Sequence, residues 1–159
     1  MPILTVNNKK EEKFLRRQTS LFDFKKFTKV RLRELIKTMR DAMKKADGIG
    51  LSANQIGFDL RIFVAQVENK FYATFNPEIL QTSEETKEMS EGCLSVPGVY
   101  GAVARPEKIT LVGYNAAGKK IKIKAWGLLA RVFQHEVDHL NGKLFIDKAK
   151  RTEKLESRK

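Results

Sequence analysis

The chain is poor in the residues from which covalent and metal frameworks are made. It has one cysteine and two histidines among 159 residues. A single cysteine excludes an internal disulfide scaffold. Two histidines exclude a metal centre held by imidazoles alone. No apolar run approaches the length of a membrane-crossing helix, and none at the start reads as a secretory stretch. Neither an internal repeat nor an interdomain linker is visible. These absences suit a reducing cytoplasm, with no membrane partner expected. The length fits one domain with a real core, expected to be a monomer. Acidic residues are also scarce: 31 Lys and Arg stand against 19 Asp and Glu, for a net charge of +12.

Both histidines lie in one stretch, QHEVDHLNG, Gln134 to Gly142. His135 and His139 have the i, i+4 spacing that puts two imidazoles on one helical face. Glu136 is rotated about 100° away, so it misses a metal held by the pair yet can reach a water beside it. This is the HExxH pattern, two ligands and a general base on one helix. By spacing alone it also fits a surface helix with solvated histidines. Leu128, Leu129, Val132, Phe133, Val137 and Leu140 supply apolar faces, and Asn141-Gly142 is a helix stop.

Two imidazoles need a third ligand. Metzincin proteases extend the pattern to a third histidine; here that position is Phe145, which cannot ligate. Glu153 and Glu156 sit in a charged terminal stretch. That leaves Cys93, in EGCLSVPG, where a lone cysteine would otherwise read as a small buried hydrophobe.

Three segments then fall into a known order: GIGLSANQ (Gly48–Gln55), EGCLS (Glu91–Ser95) and QHEVDHLNG. The chain resembles the peptide deformylases, whose motifs GxGLxAxQ, EGCLS and QHExDHLxG occur in that order. The match spans about ninety-five residues. Ser52 stands where the first motif often has alanine, a departure expected to leave the chemistry untouched. The resemblance implies removal of formyl from the amino-terminal methionine of nascent chains. It implies metal ligation by Cys93, His135 and His139, with one divalent ion, ferrous iron (Fe2+) in the cell and zinc, nickel or cobalt as substitutes. Gln55 and the Leu94 backbone N–H are implied as donors to the developing oxyanion, with Glu136 as proton shuttle. Gly50 is implied in backbone pairing with substrate. Gly48 and Gly50 flank Ile49 and let a ligand backbone come close. Ile49, Met89 and Leu128 are candidates for the methionine pocket. Arg131 faces either that pocket or solvent at its rim. Asp138 and Glu91 are candidate partners of the ligating histidines, and Asp138 equally fits a solvated helix position.

The remaining sequence predicts an α+β domain over residues 1–147 with a separate N-terminal helix, and the resemblance implies mixed, largely antiparallel sheets around the HExxH helix. Asn7–Lys13 reads as a loop. Phe14, Leu15, Phe22, Phe24 and Phe27 read as anchors laid over the core. Apolar spacing predicts a helix over Lys29–Ala46, capped by Thr28 and ended by Asp47-Gly48. Arg61–Val67 and Phe71–Asn76 read as a hairpin. Val99–Ala104 and Lys108–Tyr114 read as strands around Arg105-Pro106. Lys119–Ala125 alternates lysine with isoleucine, a strand with one wet face. The active helix is predicted over Gly127–Asn141. Residues 148–159 read as a basic tail, frayed or loosely helical, and a candidate for docking on the ribosome. The competing class is a binding module with a structural metal and RNA-binding basic faces. Structural zinc sites close with four protein ligands, and only three are at hand.

Overall fold

The computed structural model describes residues 1–155. Two antiparallel sheets flank one buried helix. Strands β1 (Gly50–Ser52), β2 (Ile62–Val67), β3 (Lys70–Thr82), β6 (Lys108–Tyr114) and β7 (Lys120–Trp126) form a five-stranded sheet in the order β1-β2-β3-β6-β7. Strands β4 (Thr86–Cys93), β5 (Val96–Pro106) and β8 (Thr152–Lys154) form the second, in the order β4-β5-β8. Each pairing among the described strands is antiparallel, so the expected mixture of strand directions is not found.

Helix α3 (Gly127–Leu140) lies between the sheets. Ala130, Phe133, Val137 and Leu140 recur at helical spacing and share a core with Phe63, Ala65, Ile109 and Leu111 of the larger sheet. Their burial drives the docking of α3 and leaves its polar stripe facing the smaller sheet. Gln134 ties the helix to the end of β5 by donating to the Pro106 carbonyl at 3.0 Å. Helix α2 (Lys29–Lys45) packs Leu32, Met39, Ala42 and Met43 over the other side of the core, and Thr28 accepts from the Arg31 N–H as its cap. Phe22, Phe24, Phe27 and Phe75 pack their rings edge-to-face or tilted beside it.

Two terminal segments depart from the sequence reading. Asn7–Lys13 is not simply a loop: helix α1 (Lys9–Leu15) begins there. The Asn8 side chain accepts from the Lys10 and Glu11 N–H groups, and Glu11 and Glu12 sit in the first turn, where acidic side chains favour a helix N-terminus. Through residue 155 the basic terminal segment is not helical. Its strand β8 pairs with β5, Tyr100 opposite Glu153; residues 156–159 lie outside the described part. Ahead of α1, Ile3–Val6 runs extended as a strap. The Leu4 N–H donates to the Gln55 carbonyl at 2.8 Å and the Val6 N–H to the Ser95 carbonyl at 2.9 Å. No helix among the described residues is long and apolar enough to cross a membrane.

Candidate active site

The polar stripe of α3 carries Arg131, His135, Asp138 and His139, on adjacent turns. The His135 and His139 Nε2 atoms are 3.2 Å apart. β4 delivers Cys93 from the opposite side, just past a register shift after Gly92 that turns the chain back into β5. Its Sγ lies 3.1 Å from His139 Nε2, and all three donor atoms fall within 4.8 Å of one another. The Ser95 N–H points at the same sulfur at 3.4 Å.

These residues fit a metal. A tetrahedral ion with bonds of about 2.0–2.3 Å holds its ligand atoms roughly 3.3–3.6 Å apart, close to the spacings found. The His135 Nδ1 donates to Glu91 Oε1 at 3.0 Å, which leaves the Nε2 lone pair turned toward Cys93. The electrostatics agree. Burial raises the Cys93 thiol, but the charge of His139 and hydrogen bonds with both imidazoles outweigh it and hold the thiol well below its ordinary range. Burial pulls His135 down, but its hydrogen bonds to Cys93 and Glu91 push it up to about 10. The cluster therefore draws positive charge to its centre, as a cation site must.

Glu91 anchors this arrangement. Burial raises its carboxyl, but hydrogen bonds from His135 and Arg105 prevail and bring it down to about 2. Arg105, only 2% exposed, spans Glu91 and Asp138. Asp138 also binds Lys148 at 2.9 Å, so it is neither a solvated helix residue nor, among the described contacts, a partner of the ligating histidines. Arg131 points neither into the methionine pocket as a free charge nor to solvent. It is buried, and its guanidinium donates to Glu91, the Val103 carbonyl and the Lys87 carbonyl. Sequence reasoning missed Arg105, read as a turn residue. The available signal was parity: Gly101, Val103 and Arg105 alternate inward along β5.

On the other side of α3 the partners are neutral. Burial raises the Glu136 carboxyl above its usual range, and the nearby histidine charges only partly offset it. Among the described residues no lysine or arginine pairs with it. Gly50 allows its approach, since a Cβ there would stand 2.6 Å from Glu136 Oε1. Ser52 Oγ lies 2.7 Å from Glu136 Oε2, so the serine does touch the expected chemistry. Gln55 is oriented by its neighbours: its Oε1 accepts from the Ser52 N–H at 2.9 Å, which turns its NH2 toward Ser95 Oγ and Cys93 Sγ. Ser95 was not singled out by the sequence.

A cavity of about 500 Å³ opens beside these groups. Gly48, Ile49, Gly50, Gln55, Met89, Leu94 and Leu128 line it with Cys93, His135 and Glu136. The structure thus brings together every site residue read from the sequence, His139 lying just behind the wall. Ile49, Met89 and Leu128 are 47%, 39% and 47% exposed, apolar surface left uncovered at the rim.

The polypeptide deformylase family profile matches residues 1–155. The chain is 48% identical over 128 residues to a peptide deformylase of Natranaerobius thermophilus, covering 79% of this chain and 82% of that one. It is 51% identical over 116 residues to that of Carboxydothermus hydrogenoformans, covering 73% and 76%. The crystal structure of the Thermotoga maritima peptide deformylase superposes with a TM-score of 0.84 at 35% identity, covering 94% of this chain and 97% of that one. With the three motifs gathered round one cavity and a match of this extent, the chain belongs to the peptide deformylase family, the hydrolases that take the formyl group off new polypeptides.

Proposed function

We propose that this chain releases formate from the N-formylmethionine end of nascent polypeptides, acting in the cytoplasm as a monomer, with Cys93, His135 and His139 as its metal ligands. The observation that carries the reading is the convergence of those three donors on a cavity shared with Glu136 and Gln55. When bound, a divalent ion supplies Lewis acidity and an acidified water. Glu136 takes the proton of the attacking water and returns it to the leaving amine; its raised pKa suits that exchange. The Gln55 NH2 and the Leu94 N–H donate to the oxygen on which negative charge develops. Gly48 and Gly50 let the peptide backbone approach, and Ile49, Met89 and Leu128 receive the methionine side chain.

The metal is assigned as ferrous iron in the cell. A thiolate and two imidazoles suit iron, zinc, nickel or cobalt and disfavour calcium and magnesium. Ribosome docking through the basic terminal segment belongs to the same proposal. Among the described residues Lys148 and Lys150 are engaged with Asp138 and Glu88, while Arg151 and Lys154 are exposed and stand as candidate contacts.

The test is purification without oxygen, followed by metal analysis and an assay of formate release from a formyl-Met peptide. One metal per chain and formate release are expected, with metal lost in Cys93→Ala. Wild-type metal content in that variant removes Cys93 from the ligand set.

A further inference from the structure

Ser52 occupies a position where the family motif often has alanine, which has nothing to donate. The residue is fully buried. Its Oγ has two acceptors within reach, Glu136 Oε2 at 2.7 Å and the Glu136 backbone oxygen at 3.0 Å. A hydroxyl carries one hydrogen, and here both of its acceptors belong to one residue, 84 positions away on another element. Positions i and i+2 of a strand face the same side, so Gly50 and Ser52 of β1 act on the carboxylate together. Gly50 offers bare backbone to Oε1, and Ser52 offers a donor to Oε2. No lysine or arginine among the described residues pairs with the carboxylate. A glutamate otherwise turns freely about its last bond.

We propose that Ser52 is a positioning residue for the hydrolysis, its hydroxyl clamping the Glu136 carboxylate by Oε2 against the backbone of Gly50. The inference rests on the assignment of Glu136 as the proton carrier. It touches none of the three metal ligands, so its effect falls on turnover and not on metal or substrate binding.

The test uses metal-loaded Ser52→Ala, which removes one buried oxygen and keeps the residue often found in the motif. Turnover, kcat, is expected to fall on the order of tenfold, with KM and metal content unchanged. Its crystal structure should show the Glu136 carboxylate displaced or in more than one orientation. In a Glu136→Gln background the serine change should have no further effect on the residual rate. Wild-type kcat in Ser52→Ala, with Glu136→Gln inactive, overturns the positioning role and leaves the Glu136 assignment standing. So does a tenfold loss that persists undiminished in the Glu136→Gln background, or one accompanied by loss of metal. Wild-type kcat in Glu136→Gln overturns both.

Discussion

Helix α3 stands between a neutral wall and a charged one. On the side of β1, Glu136 meets a bare glycine and a serine hydroxyl. On the side of β4 and β5, Glu91 meets two guanidinium groups and an imidazole, and Asp138 meets a guanidinium and an ammonium. Both glutamates feel His135 yet are driven in opposite directions, Glu91 down to about 2 and Glu136 upward. Full counter-charges fix a carboxylate in one protonation state. Neutral donors hold its position and leave its proton free to come and go. The charged wall is suited to keeping His135 in place, and the neutral wall to the step that needs a proton moved.

Exchanging charge on each wall in turn breaks this contrast if it is wrong. The largest effect is expected on the neutral wall. Glu136→Gln should lower kcat by about 10²–10⁴-fold, with metal retained and the melting temperature unchanged or raised, because a buried carboxylate without a counter-charge is removed. A fall in stability there would mean that Glu136 holds the fold. The charged wall should respond in the reverse way. Glu91→Ala strands Arg105 and Arg131 beside each other in the interior, at a cost of about 3–5 kcal/mol in unfolding free energy. Urea denaturation of the metal-loaded protein measures it, and a loss well under that range would mean the arginines find other partners. The smallest effect lies outside both walls. Arg151→Glu with Lys154→Glu should leave formate release from a short peptide unchanged and weaken ribosome binding at low salt. Equal ribosome affinity removes the terminal segment as a docking element.

Much of this was legible because the signals are local. The span of α2 followed from apolar spacing between Thr28 and Asp47, and α3 from a buried stripe closed by Asn141-Gly142. The turn between β2 and β3, where Glu68 and Asn69 take positive φ, was legible because two strand-like runs flank a short polar link. The three corners of the site followed from motif residues whose chemistry leaves few alternatives. What stayed hidden depends on partners distant in sequence. Helix α1 has seven residues and buries only Leu15, too little for a periodic pattern. β8 has three exposed residues, and nothing in them specifies a strand until β5 offers its edge. Arg105 and Arg131 look like surface charges until register brings Glu91 between them. Ser52 looks inert until α3 lays Glu136 across it.

The strap at the amino end has a consequence for how the molecule assembles. Leu4 and Val6 bind the Gln55 and Ser95 carbonyls, so this segment is bound by segments made much later. The last of the cluster, His139, lies beyond both. Contacts this distant along the chain are slow to form, since loop closure comes before any gain from pairing. During synthesis Leu4 and Val6 therefore wait for their partners until Gln55 and Ser95 have been added. Local helices such as α2 can form early, but the spacing of the reacting groups is set only at the end of folding. Partly made chains are thus inactive by topology, and activity should return in refolding as a late event, after most of the secondary structure.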